Sequence, residues 1–417
     1  MNHILIIGFV WPEPNSTAAG TRMLQLIKLF LSQNWKVTFA SPAANSEYMI
    51  DFDDLGISKI KIEINDPSFD HFIKQLQPNI ILFDRFMIEE QFGWRVSKYC
   101  PKALKILNTE DLHSLRKTRQ ASFKNNKKFK IKDLLESDFT KREIASIYRC
   151  DLTLIISDFE MTLLKDTFKI SEDLLCYLPF LFDTITPEIR NEWLDYEERN
   201  HFMTIGNFRH EPNWNSVLYL KQTIWPLIRQ ELPETELHIY GAYPTPKAIQ
   251  LHNEKEGFLI KGHAKNTKEV ISQARICLAP IRFGAGIKGK LVDAMLYGTP
   301  SVTTSIGIEG MFDEDTDWNG FVADDPSIFA KAAIKLYNDN NLWRQSQQNG
   351  IEIINTRFQK ERFAPLLIDM INIRLSNLEK YRTQNFIGNM LQYHTLRSTE
   401  FMSRWIEEKT KTNAPKD

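Results

Sequence analysis

Short runs of apolar and β-branched residues alternate with amphipathic stretches along most of this chain. Each run is nearly continuous in apolar residues, which is typical of strands buried on both faces of a sheet. Strands that alternate with helical stretches indicate a parallel sheet covered by helices on both sides. The predicted strands are 3–10, 35–42, 59–64, 79–85, 103–110, 151–157 and 174–180, followed by 201–207, 236–242, 258–263, 275–281, 300–306 and 320–324.

The alternation stops once, in the acidic segment 181–200, and then restarts. The 417 residues are enough for two domains. We therefore predict an α/β protein with two Rossmann-like, doubly wound parallel-sheet domains, residues 1–185 and 200–355, that face each other across a cleft. Residues 356–417 have helical spacing and should pack back on the first domain; a role in dimer formation is the alternative.

Composition limits the classes of function. The formal net charge is -1, so the chain has no overall attraction to nucleic acid or to an anionic membrane. No run reaches about 18 apolar residues, and the N-terminus lacks the pattern of a signal peptide, so we expect a cytoplasmic protein. The four cysteines are widely spaced and predict buried thiols rather than a metal site.

The predicted strand 275–281 leads into RFGAGIKGKLVDAMLYGTP. Glycines leave peptide N–H groups accessible, and the start of the next helix adds partial positive charge, so a phosphate is well suited here. Two lysines add full charges, and an Asp one turn into the helix could bind sugar hydroxyls. This predicts a nucleoside diphosphate site, against the alternative of an ordinary loop with solvated lysines. The residues concerned are Gly284, Ala285, Gly286, Lys288, Lys290 and Asp293.

Residues 279–311 resemble the donor-binding region of group 1 (retaining) glycosyltransferases of the GT-B architecture. In that family a glycine loop leads into a helix that reads roughly E-A-M-A-x-G-x-P-V-V. Residues 204–220 and 224–241 match the start of the family's C-terminal domain in order and spacing, and the resemblance over 1–180 is weaker. It implies transfer of a sugar from a nucleotide donor, such as a UDP- or GDP-sugar, to a glycan, lipid or other acceptor. It also implies retention of the anomeric configuration and no metal or other cofactor.

The donor region departs from the family pattern at two places. Of two acidic residues eight apart, Asp293 matches the second, whereas the first falls on Ala285. Glu309 is a candidate substitute by its location. The family's basic pair would fall on Asn207 and Pro212, and Arg209 between them is the candidate for supplying that charge.

The first half departs from the pattern at the catalytic histidine. The segment that matches the family's T-H-D reads Thr109-Glu110-Asp111, so Glu110 takes the place of the histidine. We expect Glu110, Asp111 and His113 to orient or deprotonate the acceptor. The alternative is a polar helix cap with a surface histidine.

Other residues at predicted strand ends are candidates for ligand contacts. Gly20, in the loop and helix start after the first strand, allows close approach of backbone to the donor. Arg22, at the same helix start, could reach the acceptor or a donor phosphate. Asp84 and Arg85 end another strand and could contact the acceptor, although local ion pairs are the commoner role of such charges.

Residues 114–132 contain eight basic residues and no acid. A solvated helix face is the ordinary explanation, and peripheral contact with an anionic membrane surface is the alternative. Two other functions also stay open: a nucleotide-sugar epimerase or hydrolase of the same fold, and a non-catalytic partner subunit.

Overall fold

The computed structural model describes residues 2–312 and 317–412 and contains two parallel sheets. The first has seven strands in the order β3-β2-β1-β4-β5-β6-β7. Its strands are β1 His3–Ile7, β2 Lys36–Ser41, β3 Ser58–Lys61, β4 Ile80–Asp84, β5 Leu104–Asn108, β6 Leu152–Ile155 and β7 Leu175–Tyr177.

The second sheet has six strands in the order β10-β9-β8-β11-β12-β13, which repeats the order of the first six strands of the other sheet. Its strands are β8 Asn200–Ile205, β9 Leu237–Tyr240, β10 Phe258–Gly262, β11 Ala274–Ala279, β12 Ser301–Thr303 and β13 Gly320–Val322. The prediction of two doubly wound parallel sheets is confirmed.

Helices cover both faces of each sheet. Around the first sheet they are α1 Ala18–Ser32, α2 Ser68–Leu76, α3 Phe86–Tyr99, α4 His113–Lys124, α5 Ile131–Glu136, α6 Asp138–Arg149 and α7 Asp158–Asp166, followed by α8 Pro187–Asn191 in the crossing segment. Around the second they are α9 Glu211–Tyr219, α10 Trp225–Glu231, α11 Pro246–Ile249, α12 Thr267–Gln273, α13 Gly289–Leu296, α14 Ser305–Ile308, α15 Pro326–Asn338 and α16 Asn340–Arg357. A π-helical turn, Leu220–Ile224, joins α9 to α10, and 3-10 turns occupy Glu172–Leu174 and Tyr196–Glu198.

The chain crosses between the sheets twice, and the two crossings run side by side. Phe182 donates its N–H to the carbonyl of Phe358 at 2.8 Å, and its own carbonyl accepts from Lys360 at 2.9 Å. After the second crossing come the helices α17 Lys360–Ser376, α18 Leu378–Gln384 and α19 Phe386–Thr412. Phe363, Leu367 and Ile371 of α17 are buried in the same apolar cluster as β1 and β4, so this helix completes the core of the first domain.

Several predicted strands are longer than the observed ones, and the excess lies at their carboxyl ends. β1 ends at Ile7 rather than residue 10, β5 at Asn108 rather than 110, and β11 at Ala279 rather than 281. The residues beyond these ends leave the sheet because they form the loops that meet between the domains.

Candidate active site

The loops at the carboxyl ends of strands from the two sheets meet in a crevice. Asn207, after β8, donates to the Ser16 hydroxyl at 3.3 Å, and His263, after β10, lies 3.2 Å from the carbonyl oxygen of Asn15. In each sheet the strand order reverses between two neighbours, β1 and β4 or β8 and β11, where doubly wound folds bind ligands. The predicted donor and catalytic residues lie around these two points.

The glycine loop after β11 touches the loop after β5. Gly286 has a φ of 62°, a conformation that side chains with a Cβ rarely adopt. A Cβ at this position would lie 2.8 Å from Cβ of Asp111 and 3.3 Å from the carbonyl oxygen of Glu110. A glycine is therefore required for the predicted donor loop and the predicted catalytic loop to approach each other.

Glu160 of α7 holds both loops with one carboxylate oxygen. That oxygen accepts the N–H of Leu112 at 3.0 Å and the N–H of Gly286 at 2.8 Å. The side chain is fully buried, and this burial, followed by the charge of Asp111, raises the pKa of Glu160 to about 8. Its second carboxylate oxygen is buried with no hydrogen-bond partner among the described residues.

Arg119 of α4 forms a second connection between the domains. Its guanidinium donates to the Glu309 carboxylate at 2.6 and 2.8 Å and to the carbonyl of Gly284 at 2.9 Å. Both oxygens of the Glu309 carboxylate, which the sequence predicted for donor binding, accept from Arg119. Ala285, where the family has an acid, packs against the apolar core of the first domain.

Lys288 lies inside this network rather than free in the crevice. Its ammonium donates to the carbonyl of Gly286 at 2.9 Å and lies 4.0 Å from a Glu309 oxygen. Burial lowers the pKa of Lys288 to about 8.

Lys290 and Asp293 differ from the other charged residues of this region. They are one turn apart on α13, both are half-buried, and neither has a hydrogen-bond or ion-pair partner within residues 2–312 and 317–412. Burial lowers the pKa of Lys290 to about 8 and raises that of Asp293 to about 7. His210, at the start of α9, is exposed, but the protein atoms around it partly desolvate the ring and lower its pKa to about 3, followed by the charges of Arg116 and Lys290. Lys290 and Arg116 of the first domain therefore both act electrostatically on His210.

Glu110 is surrounded by three residues that the sequence predicted for acceptor binding. Its φ is 62°, and its carboxylate accepts from the Asn108 amide at 2.6 Å. Burial, followed by the charge of Asp84, raises the pKa of Glu110 to about 8, whereas Arg22 and Arg85 oppose the rise. Arg22 itself is 1% exposed and donates to Asn108 at 3.1 Å and to the Leu178 carbonyl at 2.6 Å. This makes Arg22 a support for Asn108, and through it for Glu110.

Asp84 and Arg85 lie at the end of β4, beside the loop after β1. One Asp84 oxygen is 3.4 Å from the Phe9 N–H, and the other is buried without a hydrogen-bond partner in the described part of the chain. The acids further along this segment form local ion pairs, Glu89 with Arg149 and Glu90 with Arg142. Asp84 and Arg85 act electrostatically on Glu110, whereas Glu89 and Glu90 have structural roles.

Asp111 and His113 are already saturated with partners. Arg116 donates to Asp111 at 2.6 Å, and the His113 ring lies 3.0 Å from an Asp111 oxygen. Although burial opposes it, the charges of Arg116 and His113 hold the pKa of Asp111 well below its usual value. His113 is buried, not a surface residue, and Glu143 rather than Asp111 caps the start of α4 by accepting the His113 and Ser114 N–H groups.

Arg209 and Gly20 lie at the two sides of the loop after β1. Arg209 is exposed and stacks on Tyr243 at 3.9 Å, and the Tyr243 hydroxyl donates to Glu13 of the first domain at 2.8 Å. Gly20 lies against the backbone of Glu13, where a Cβ would come within 2.3 Å of it. Gly20 therefore shapes this loop, and the Arg209 guanidinium stays accessible beside it.

The basic stretch 114–132 divides into two parts. Its first part belongs to α4 and faces the second domain, where Phe123 packs on Phe283 at 5.1 Å and Gln120 donates to Glu211 at 3.2 Å. The lysines from 127 to 132 are exposed. Contact of this stretch with a membrane is not supported by any feature of the fold, and no helix within the described ranges has the length and hydropathy to cross a bilayer.

Sequence reasoning did not single out Glu160, and it treated Arg119 as part of a basic surface. Glu160 lies just after β6, so its position at a strand's carboxyl end was a usable signal. His210 also adjoins the crevice, next to the predicted Arg209. Nothing local in the sequence distinguishes Arg119 from its basic neighbours.

Three comparisons place this geometry among known proteins. Residues 199–339 match the family described as "Glycosyl transferases group 1". No curated protein sequence matches the chain.

Several solved structures share the fold across nearly their whole length. Sucrose-phosphate synthase from Thermosynechococcus elongatus has a TM-score of 0.66 at 15% identity and covers 90% of this chain and 100% of its own. HepE from Anabaena, in complex with UDP and glucose, has a TM-score of 0.64 at 12% identity, covering 88% and 99%. A TarM variant from S. aureus, in complex with UDP, Fondaparinux and alpha-GlcNAc-glycerol, has a TM-score of 0.65 at 10% identity, covering 89% and 100%. At these identities the likeness concerns the fold.

Replacement of Gly286 tests the contact between the two loops. Gly286→Ala should destabilise the contact between the loops after β11 and β5 by about 1–3 kcal/mol. Alanine at positive φ is strained, and its methyl would overlap Asp111. Thermal unfolding and nucleotide binding would both be measured.

Gly284→Ala is the matched control. Its Cβ would find its nearest neighbour at 3.7 Å, an ordinary contact, and the Gly284 carbonyl would still bind Arg119. Equal stability and binding in the two variants would contradict the role given to Gly286.

Proposed function

We propose that this chain, whose second domain matches group 1 glycosyltransferases and whose fold is GT-B, transfers a sugar from a nucleoside diphosphate to an acceptor bound in the crevice. The family recognised in the sequence is confirmed over residues 199–339, and with it the prediction of a glycosyltransferase. The assignments of individual residues below, the acceptor and the stereochemical outcome belong to the proposal.

The pair Lys290 and Asp293 carries the proposal. A half-buried charge without a partner is costly, and the lowered pKa of Lys290 and raised pKa of Asp293 express that cost. A nucleoside diphosphate supplies what each lacks: phosphate oxygens for the ammonium and ribose hydroxyls for the carboxylate. The start of α13 and the accessible peptide groups of the glycine loop add further favourable interactions with the phosphates.

Charge stabilisation of the leaving diphosphate is the main chemical task. When the bond between the sugar and the phosphate breaks, negative charge accumulates on the diphosphate while the sugar gains oxocarbenium character. Lys290 is free to meet that charge, Arg209 is exposed at the edge of the crevice, and Lys288 lies in the adjacent loop. Fixed cations of this kind do the work of a metal ion, which supports a metal-independent reaction.

Glu110 is the candidate for accepting the proton of the acceptor hydroxyl. It lies where the family has its histidine, it is partly accessible, and its pKa of about 8 suits a group that gains and loses a proton near neutral pH. Asn108 holds one of its oxygens, and Arg22 holds Asn108 in turn. Asp84 and Arg85, which adjoin Glu110, would contact the acceptor.

Glycans are the acceptor class favoured here, with lipid-linked glycans included. The solved structure of TarM contains UDP together with saccharide ligands, and those of HepE contain UDP, glucose or UDP-glucose. These ligands support a UDP-sugar donor and a saccharide acceptor for a chain of the same fold. Retention of the anomeric configuration, implied by the family resemblance, would be read from the product by NMR.

A thermal-shift panel of UDP, GDP, ADP and dTDP tests the donor site. One nucleotide should stabilise the protein, by about 2.7 kcal/mol at 100 times its Kd, and Lys290→Ala should remove most of that gain. Lys331→Ala, on an exposed face of α15, is the control and should respond like the native chain. If none of the nucleotides stabilises the native chain, the donor site is wrong.

The affinity for the bound nucleotide should depend on pH above neutrality. Lys288 and Lys290 bind a diphosphate as ammonium ions, and their pKa values of about 8 mean that they lose that charge as pH rises through this range. Affinity should therefore fall above pH 8, by at most about tenfold per pH unit for each lysine that titrates. Calorimetry would measure it.

Lys290→Arg provides the control for this pH dependence, because a guanidinium keeps its charge throughout the range. The fall in affinity should be smaller in that variant. An affinity that stays constant from neutral pH to well above 8 in the native chain would contradict the assignment of these lysines.

Glu110→Gln separates chemistry from donor binding. The amide keeps the shape of the side chain but cannot accept a proton, so kcat should fall by about 10²–10⁴ while nucleotide affinity stays close to that of the native chain. Initial rates and calorimetry on the same preparations would show this. A normal kcat would exclude Glu110 as the proton acceptor.

A further inference from the structure

The C-terminal helix α19 packs on the first domain with its polar side. Arg95 of α3 is 1% exposed and bonds Ser403 at 3.1 Å and the carboxylate of Glu407. Gln392 donates to the carbonyl of Arg149 at 3.1 Å, and Lys98 pairs with Glu400 at 2.8 Å. The contacts that hold this helix are therefore hydrogen bonds and ion pairs to α3 and α6.

The outward side of the same helix is apolar. Seven large apolar side chains of α19 are between 46% and 73% exposed, and these are Phe386, Ile387, Met390, Tyr393, Phe401, Met402 and Trp405. An amphipathic helix on a globular domain normally has the opposite arrangement, with its apolar side against the core. The exposed apolar side, here called the α19 face, requires an explanation outside the monomer.

The size of the α19 face is that of a protein interface. Seven such side chains, more than half exposed on average, present roughly 800 Å² of surface, given about 150–250 Å² for each aromatic residue. Monomeric proteins rarely expose contiguous apolar patches beyond a few hundred Å², and a standard interface takes about 800 Å² from each partner.

We propose that the α19 face binds a second copy of this chain, with the two α19 helices antiparallel across a two-fold axis. In a two-fold interface, if residue i contacts residue j of the other copy, then j contacts i. Four residues of the α19 face satisfy this requirement by their spacing along the helix. With the axis midway between residues 395 and 396, Phe386 lies opposite Trp405, and Met390 lies opposite Phe401.

Composition and charge favour a protein partner over a bilayer. The exposed residues include four aromatic residues and two methionines, which are enriched in protein interfaces. Interfacial membrane helices instead combine an apolar side with many lysines and arginines. Apart from residues 395–397 and 411–412, whose side chains lie outside the described part, the exposed charged residues of α19 are Glu408 and Lys409, of opposite sign.

The mass of the full chain in solution tests the proposal. Sedimentation equilibrium over a dilution series should give twice the chain mass of 48.7 kDa, and Phe401→Glu and Met390→Lys should each give the monomer. Ile373→Glu, an equally exposed apolar residue on α17, is the control and should stay dimeric. Circular dichroism and nucleotide-induced stabilisation should be unchanged in all variants, because these side chains face outward.

The double variant Met390→Lys/Phe401→Glu makes the test specific to the antiparallel register. Each introduced charge would face the opposite charge of the other copy, so the dimer should re-form. A native chain that is monomeric at all concentrations would overturn the proposal, as would a dimer that survives Phe401→Glu. A monomer that sediments with phosphatidylcholine vesicles, and loses this with Phe401→Glu, would overturn it in favour of a bilayer.

Discussion

The buried carboxylate of Glu160 is the interaction on which the arrangement of the crevice depends. One oxygen accepts the N–H of Leu112 in the first domain and that of Gly286 in the second. These two peptide groups belong to the loop that carries Glu110 and to the loop that leads into α13, where Lys290 lies. Because Gly286 has no Cβ, the loops approach closely enough for one carboxylate to hold both. Arg119 of α4 adds a second connection between the domains through Glu309, so they are held at two points beside the crevice.

The charged residues of the crevice divide into two groups by their partners. Asp111, Lys288 and Glu309 are bound to other protein groups, and the pair of Glu309 with Arg119 joins the two domains. Lys290 and Asp293 are half-buried and have no such partners within the described residues. Neutralising interactions are worth most where water is scarce, so a ligand gains most at the second group. The same division explains why Lys290 and Asp293, rather than Lys288, are expected to gain most from the bound donor.

Two departures from the family pattern have a structural reason in this chain. Ala285, where an acid is expected, packs into the apolar core of the first domain, so a carboxylate there would be buried against hydrocarbon. Glu110, where a histidine is expected, lies among Asn108, Arg22, Asp84 and Arg85, which bind or act electrostatically on its carboxylate. The surroundings at both positions are adapted to the residues that this chain has. They are consistent with a working site rather than a degenerate one.

The sequence alone determined the elements of this protein, because strand and helix patterns and the spacing of Lys290 and Asp293 are local properties of the chain. It predicted the two sheets, the loop after β11 and the positions of Glu110, Asp84 and Arg85 at the ends of strands. It could not predict that Arg119 pairs with Glu309 or that Glu160 accepts from Gly286, since these partners are 190 and 126 residues apart in the chain. The packing of distant segments decides which charges are paired and which stay free. It also decides which side of α19 faces outward. Only the tertiary structure decided these points.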